Sequence, residues 1–335
     1  MHIFVDAMGG DYAPREIVKG CVDAVNEYHV HLTLVGGESA IRDELSLAKY
    51  PKEAIDILPA KSVIGFNEEP MKAIREKKDS SIVVGLDAVN QEEENSVLVS
   101  AGSTGALLAG GLFKLGRIKG IKRPALATPL PTKDHVTLLL DSGANADCKA
   151  EYLQQFGILG SIYYQNVFNI AYPKVALLNI GTEEEKGSVL VKKAYQLLSE
   201  TKSINFIGNI ESRDVMTGEA DIIVTDGFTG NILLKQLEGL SSFLLNGLKQ
   251  AILGSTRGKI GGALIKKDLQ SFKKEFSSDE VGGAPFLGIR NGLIKAHGSS
   301  NAYAIKNAIK QAIAYMDGDI IAKIENTINS EMQSK

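Results

Sequence analysis

The sequence predicts an α/β protein in which a doubly wound, mostly parallel sheet is sandwiched by helices. Three observations point there. Short apolar runs alternate with helix-period segments along most of the chain. Several runs are apolar on both faces, as in Val-Ala-Leu-Leu-Asn-Ile at 175–180, the pattern of strands buried between helix layers. The 34 glycines fall preferentially just after those runs, where strand-to-helix turns belong.

The first predicted strand, 3–6, leads to a helix over 14–28. Pro14 suits its first turn, because the missing N–H has no partner there anyway. Strands follow at 32–36 and 55–59. A strand at 97–101 precedes a helix at 105–115. Strands at 125–129 and 136–141 flank a Pro-Leu-Pro-Thr-Lys-Asp turn at 129–134. A helix at 149–164, a strand at 175–180 and a helix at 187–200 continue the alternation. Strands at 205–208 and 222–226 lead to a long helix at 231–253. The last strand, 293–296, opens into a helix over 301–316. No constant-period repeat or low-complexity linker interrupts the series, so residues 1–335 read as a single large α/β/α unit.

One stretch breaks the rhythm. From Lys249 to Glu275 there is no strand pattern. Lys249, Arg257, Lys259, Lys266, Lys267, Lys273 and Lys274 outnumber Asp268 and Glu275. Ile260 and Leu264, then Leu269, Phe272 and Phe276, keep helical spacing, with Ile265 among them. Residues 245–277 therefore read as a protruding, basic, amphipathic helical segment. Three roles are open to it: a solvated helix pair, a membrane-surface anchor, or a docking surface for an acidic protein.

Composition narrows the class. A net charge of -3 gives no global basic field for nucleic acid. Cys21 and Cys148 are isolated thiols without a CxxC spacing, which fits a reducing cytoplasm and predicts neither a disulfide framework nor a metal site. The start, Met1-His2-Ile3-Phe4-Val5-Asp6, does not read as a signal peptide, and no run approaches the roughly 18 apolar residues of a membrane span.

The chemistry-bearing residues sit in six loops at predicted strand ends. They begin at Asp6 (with Gly9 and Gly10), Ala101 (with Ser103, Thr104 and Gly105), Asp141 (with Asn145), Asn179 (with Gly181), Asp226 (with Gly227, Thr229, Gly230 and Asn231) and His297 (with Ser299 and Asn301). In an open parallel sheet, ligands bind outside the carboxyl ends of the strands. Glycine permits close backbone approach, and helix N-termini favour anions. Each loop alone also reads as ordinary turn and cap chemistry. Six together favour a phosphate-type ligand. There is no GxxxxGK[ST], no GxGxxG after the first strand, no GxSxG and no HExxH. No cofactor is therefore expected.

The motifs also carry a resemblance. Val5-Asp6-Ala7-Met8-Gly9-Gly10-Asp11-Tyr12-Ala13-Pro14 resembles the opening of PlsX-type phosphate acyltransferases. So, in order, do Asp141 to Asp147, Leu178 to Gly187, Gly208-Asn209-Ile210-Glu211, Asp226 to Asn231, Gly282-Gly283-Ala284-Pro285, and His297 to Asn301. The resemblance implies transfer of a fatty acyl group from acyl carrier protein to inorganic phosphate, at the entry to bacterial phospholipid synthesis. It also implies a homodimer, peripheral association with the inner face of the cell membrane, and glycerol-3-phosphate acyltransferase as the downstream enzyme. The implied fold is related to phosphate acetyltransferases and to isocitrate/isopropylmalate dehydrogenases.

The residues suit that reaction. Phosphate is its own nucleophile and a thiolate leaves readily, so positioned donors suffice. Lys186 is expected to meet the phosphate or the oxyanion, and equally reads as a solvated lysine. His297 is expected to serve as donor or acid, or to be structural. Asn145, Asn209, Thr229 and Asn231 are expected polar donors, and Ser103 and Thr104 phosphate ligands. In the 245–277 segment, Lys259, Ile260, Leu264, Ile265, Lys266, Lys267 and Leu269 are the expected membrane or carrier contacts. Cys148 reads as an inert thiol more readily than as a nucleophile. Three rival functions remain: an acyl-CoA-dependent phosphate acetyl- or butyryltransferase, an NAD(P)-dependent dehydrogenase of the related fold, and a non-catalytic membrane scaffold.

Overall fold

The computed structural model describes residues 1–92, 95–133, 135–275, 280 and 282–333. The first half alternates as expected: β1 (His2–Asp6), α1 (Arg15–Tyr28), β2 (Leu32–Gly36), α2 (Glu38–Ser46), β3 (Ile55–Pro59), α3 (Pro70–Glu76), α4 (Ser81–Gln91), β4 (Ser96–Ser100) and α5 (Thr104–Gly110). Next come β5 (Ala125–Leu126), β6 (Thr128–Pro131), β7 (Val136–Leu140), α6 (Ala150–Phe168), β8 (Lys174–Asn179), α7 (Val189–Ser199), β9 (Asn205–Glu211) and β10 (Ile222–Val224). The chain ends with α8 (Gly227–Leu253), α9 (Thr256–Leu264), α10 (Lys266–Glu275), β11 (Gly283–Leu287), β12 (Gly292–Ala296), α11 (Ala302–Asp317) and α12 (Ile320–Gln333).

The expected single sheet is two sheets. A seven-stranded sheet runs β3-β2-β1-β4-β12-β11-β5, and a five-stranded sheet runs β6-β7-β10-β8-β9. Parallel pairing dominates both, but β11 is antiparallel to β12 and β5, and β6 is antiparallel to β7. The stretch predicted as one strand at 125–129 divides at Ala127 between the two sheets, joining them. β11 lacks a strand signature in the sequence because Pro285 sits inside it, where no ladder N–H can be donated.

The core is continuous across both sheets. Ile3, Val5, Leu34 and Val97 from the first join Leu138, Leu140, Val175 and Ile222 from the second in one buried cluster. α6 packs against β7, β8 and β10 of the second sheet and touches β11 of the first, and it buries Phe156, Tyr163 and Tyr164. α1 lies so close to the start of α11 that a β-carbon at Gly20 would meet the Ala302 carbonyl at 2.6 Å. The long helix begins earlier than expected, at Gly227, and of its residues only Gly227 and Gly230 are buried. Its outer half leaves Phe243, Leu244, Leu248 and Leu253 exposed. α9 packs on α8 and α10 on α9, forming an arm. On the arm Lys259, Ile260, Leu264, Ile265, Lys266 and Lys267 are exposed and Leu269 is half-buried. Phe276 and residue 277, part of the expected segment, lie outside the described residues.

Candidate active site

Asp6 ends β1 and is fully buried. It accepts from Ser100 Oγ at 2.6 Å and from the Met8 amide at 3.1 Å. Burial raises its carboxyl above the usual carboxylate range, against the pull of those donors. Its work is local: it shapes the Gly9–Gly10 turn. A β-carbon at Gly9 would fall 2.4 Å from Asp6 Oδ2, and Gly10 holds φ at +105°. The turn is tied to the last strand-end loop by the Asp11 amide, which donates to Gly298 O at 2.8 Å.

On the second sheet, Asp141 follows β7 and is equally buried. Its Oδ1 accepts from the amides of Leu126, Gly143 and Ala144, and its Oδ2 from the amide and side-chain nitrogen of Asn145, all within 3.2 Å. Burial is again the largest influence and pushes its carboxyl up. α8 starts directly against this loop, where the Gly227 amide donates to Asn145 O at 2.8 Å. Asp226 caps α8, accepting from the Thr229 amide at 2.9 Å and the Thr229 hydroxyl at 2.8 Å.

Between the two sheets' carboxyl ends and α8 lies a cleft of about 600 Å³. Thr104, Gly227, Asn231 and His297 line it, as sequence reasoning expected of site residues. From Asn231 to Leu245 the cleft follows one face of α8, about 21 Å of helix rise. Lys235, Glu238, Lys295 and Ser300 also line it and were not anticipated. Lys235 Nζ pairs with Glu238 Oε2 at 2.9 Å. The His297 ring is exposed. Its Nδ1 lies 2.8 Å from Ser299 Oγ and 3.3 Å from the Ser299 amide nitrogen, and its Nε2 lies 4.0 Å from Glu238 Oε1.

The remaining expected residues stand behind or apart from the cleft. Ser103 caps α5 through the Ala106 amide, and Gly105 sits against Pro70. Asn145 spends its side-chain N–H groups on Pro124 O and Asp141 Oδ2. Asn301 caps α11 through the Ala304 amide. The loop after β8 lines no part of the cleft: Asn179 orders it through Lys186 O and the Ile180 amide, and Gly181 lies under Glu183. Asn209, on neighbouring β9, donates to Glu183 O at 3.0 Å. Lys186 is exposed at the surface of that loop. Cys148 is half-buried, and burial pushes its thiol up to about 12.

Residues 1–323 match the family model described as "Fatty acid synthesis protein". The chain is 51% identical over 335 residues to a protein of Clostridium botulinum named phosphate acyltransferase, covering 100% of this chain and 99% of that one. It is 51% identical over 330 residues to the phosphate acyltransferase of Alkaliphilus oremlandii, covering 98% of each. Among solved structures, a phosphotransacetylase from Streptococcus pyogenes shares the fold, with a TM-score of 0.60 at 16% identity over 94% of each chain. A cleft at the strand ends, full-length identity to named acyltransferases and a shared α/β fold agree: the chain is an acyltransferase and belongs to the PlsX-type phosphate acyltransferase family.

Proposed function

We propose that the protein transfers a long-chain fatty acyl group from the thioester of acyl carrier protein to inorganic phosphate, giving an acyl phosphate for bacterial phospholipid synthesis. The observation that carries this reading is the split character of the cleft. Lys235, Lys295, His297 and Ser300 supply cations and donors, and Leu130, Leu234, Leu237 and Leu245 supply an apolar wall. The first set suits a dianion and the second a hydrocarbon chain.

In this reaction a phosphate oxygen bonds to the thioester carbonyl carbon, and the tetrahedral oxyanion collapses with cleavage of the C–S bond. Sulfur leaves as a thiolate, whose thiol has a pKa of roughly 8.5. Near neutral pH much of the phosphate is already dianion, so no strong base is required. His297, through Nε2–H, and Asn231, through its amide, are the proposed donors to the oxyanion or the leaving sulfur. Lys186 is the proposed second cation, brought in by its exposed loop.

The arm supports the proposed partners. Phe243 and Leu244 are exposed on α8, and a second copy of the chain is proposed to cover them. At the far end, Leu264, Ile265 and Leu269 with Lys259, Lys266 and Lys267 are proposed to meet the anionic inner face of the cell membrane or the acidic carrier. Glycerol-3-phosphate acyltransferase is the proposed consumer of the product. A fold relationship to the isocitrate/isopropylmalate dehydrogenases is proposed as well.

The test is an assay of purified protein with long-chain acyl carrier protein, with and without phosphate, trapping acyl phosphate as its hydroxamate. Phosphate-dependent hydroxamate is expected, with acyl-CoA a poorer donor. Loss of thioester without phosphate, or a preference for short acyl-CoA, would sink the reading. Charged replacements of Leu264, Ile265 and Leu269 are expected to give a folded dimer that no longer binds anionic vesicles.

A further inference from the structure

Asp6, Ser100 and Lys295 stand side by side at the carboxyl ends of three neighbouring parallel strands, β1, β4 and β12. The register pairs Asp6 with Ser100 and Ser100 with Lys295. Side chains paired in this way share one face of a sheet. Asp6 and Ser100 satisfy one another, through the 2.6 Å bond from Ser100 Oγ. Lys295 does not share in that bond. It is half-buried, lines the cleft, and among the described residues its ammonium makes no ion pair within 4.0 Å. The hydrogen bond found for its Nζ is to Ala296 O. An ammonium carries three N–H donors, so donors remain unspent toward the cleft.

A second group on the same cleft is also unsatisfied. Ser300 is 3% exposed, and its Oγ has no hydrogen-bond partner. It stands just before α11, in the loop that His297 opens. Of the helix amides beyond it, that of Ala302 donates to Glu16 Oε2 and that of Ala304 to Asn301 Oδ1. Two donors on this cleft are thus left for a ligand, the Lys295 ammonium and the Ser300 hydroxyl. Burying unpaired donors is costly, and a small oxyanion satisfies both kinds at once.

We infer that Lys295 and Ser300 form the subsite that holds the inorganic phosphate nucleophile, with Lys295 as its principal cation. The inference rests on the proposed acyl transfer to phosphate and names the residues that bind its second substrate. Lys295 suits the task better than a surface lysine does. It projects from a central strand, whose position is fixed by neighbours on both sides. Burial and the nearby Lys235 hold its ammonium down at about 8, against the pull of Asp11 and Asp6. Near neutral pH the ammonium is still charged, and an arriving dianion offsets the cost of that half-buried charge, so binding energy is concentrated at this group.

The test uses the full chain carrying Lys295→Met or Ser300→Ala, with inorganic phosphate as the probe. Phosphate binding is read by calorimetry, and the KM for phosphate in the acyl carrier protein assay. Lys295→Met is expected to weaken phosphate binding and raise its KM by about 10- to 150-fold, the loss of a charged hydrogen-bond partner. The KM for the acyl donor is expected to stay near its wild-type value. Ser300→Ala is expected to raise the phosphate KM several-fold without lowering the melting temperature, since the hydroxyl has no protein partner to lose. If Lys295→Met does not fold, Ser300→Ala decides alone. Wild-type phosphate binding and KM in the folded variants would overturn the subsite. An inactive wild type that still binds phosphate, with binding lost in the variants, would overturn the acyl-transfer reading and uphold the subsite.

Discussion

Gly230 presses on Asp141 so closely that a β-carbon at Gly230 would lie 2.0 Å from the Asp141 carbonyl oxygen. This contact seats the start of α8 on the second sheet and so fixes one wall of the cleft. Alanine at a helical position normally gains up to about 1 kcal/mol over glycine. Here the clash is with backbone, which cannot swing aside, and overpacking of that kind costs about 1–3 kcal/mol or more. Gly230→Ala is therefore expected to lose stability and acyl transfer together. Urea unfolding and the hydroxamate assay check both. A variant as stable as wild type would mean that α8 is free to ride outward.

Asp141 itself tests whether the loop depends on a carboxylate. Both of its oxygens accept from N–H groups, three at Oδ1 and two at Oδ2. In Asp141→Asn, either orientation of the amide turns an NH2 toward at least two of those donors. Asparagine is therefore expected to fare little better than alanine, with each variant losing about 3–5 kcal/mol in urea unfolding. An Asp141→Asn protein with a wild-type urea midpoint would show that the carboxylate is dispensable.

Cys148 lies beside the Asp141 loop, its thiol directed at Asn145 O. With its thiol pushed up to about 12, it carries almost no thiolate near neutral pH. Direct attack by phosphate also needs no covalent acyl-enzyme. Cys148→Ala is expected to keep wild-type kcat, and iodoacetamide at pH 7.5 is expected to leave the folded protein active. Rapid alkylation with loss of turnover would reinstate a nucleophilic cysteine.

The strand-end loops were legible because six apolar runs end in glycine, hydroxyl and amide residues, a repetition that single turns and caps do not require. The division into two sheets was hidden. Ala125 to Pro129 reads as one strand, and only pairing partners assign its two parts to β11 and β7. Within the loops, a capping asparagine and a ligand asparagine have the same local sequence. Distances alone show that the Asn145 amide is spent on Pro124 and Asp141 and that of Asn179 on Lys186 O, while Asn231 lines the cleft. Lys295 left no signal in Gly-Leu-Ile-Lys-Ala, where a lysine reads as the solvent face of an ordinary strand. Its meaning comes from register with Ser100, a relationship between residues far apart in sequence.

The Lys295 ammonium also predicts a pH dependence of stability. Its value is about 8 in the folded protein, against 10.5 for an unperturbed lysine. Between those two pH values the unfolded chain binds a proton that the folded chain does not, so stability rises with pH across that window. Below pH 8 both states are protonated, and the cost of the half-buried charge is present in full. In phosphate-free buffer at pH 7, Lys295→Met is therefore expected to be more stable than wild type, on the order of 1–3 kcal/mol. The gap is expected to close as pH rises past 10. Added phosphate is expected to raise the melting temperature of wild type and to leave the variant unmoved, since a ligand stabilises only the protein that binds it. Thermal melts of both proteins at pH 7 and pH 10, with and without phosphate, give all of these comparisons. A Lys295→Met protein that is less stable than wild type by the same margin at both pH values would show that the ammonium is already paid for by partners within the fold.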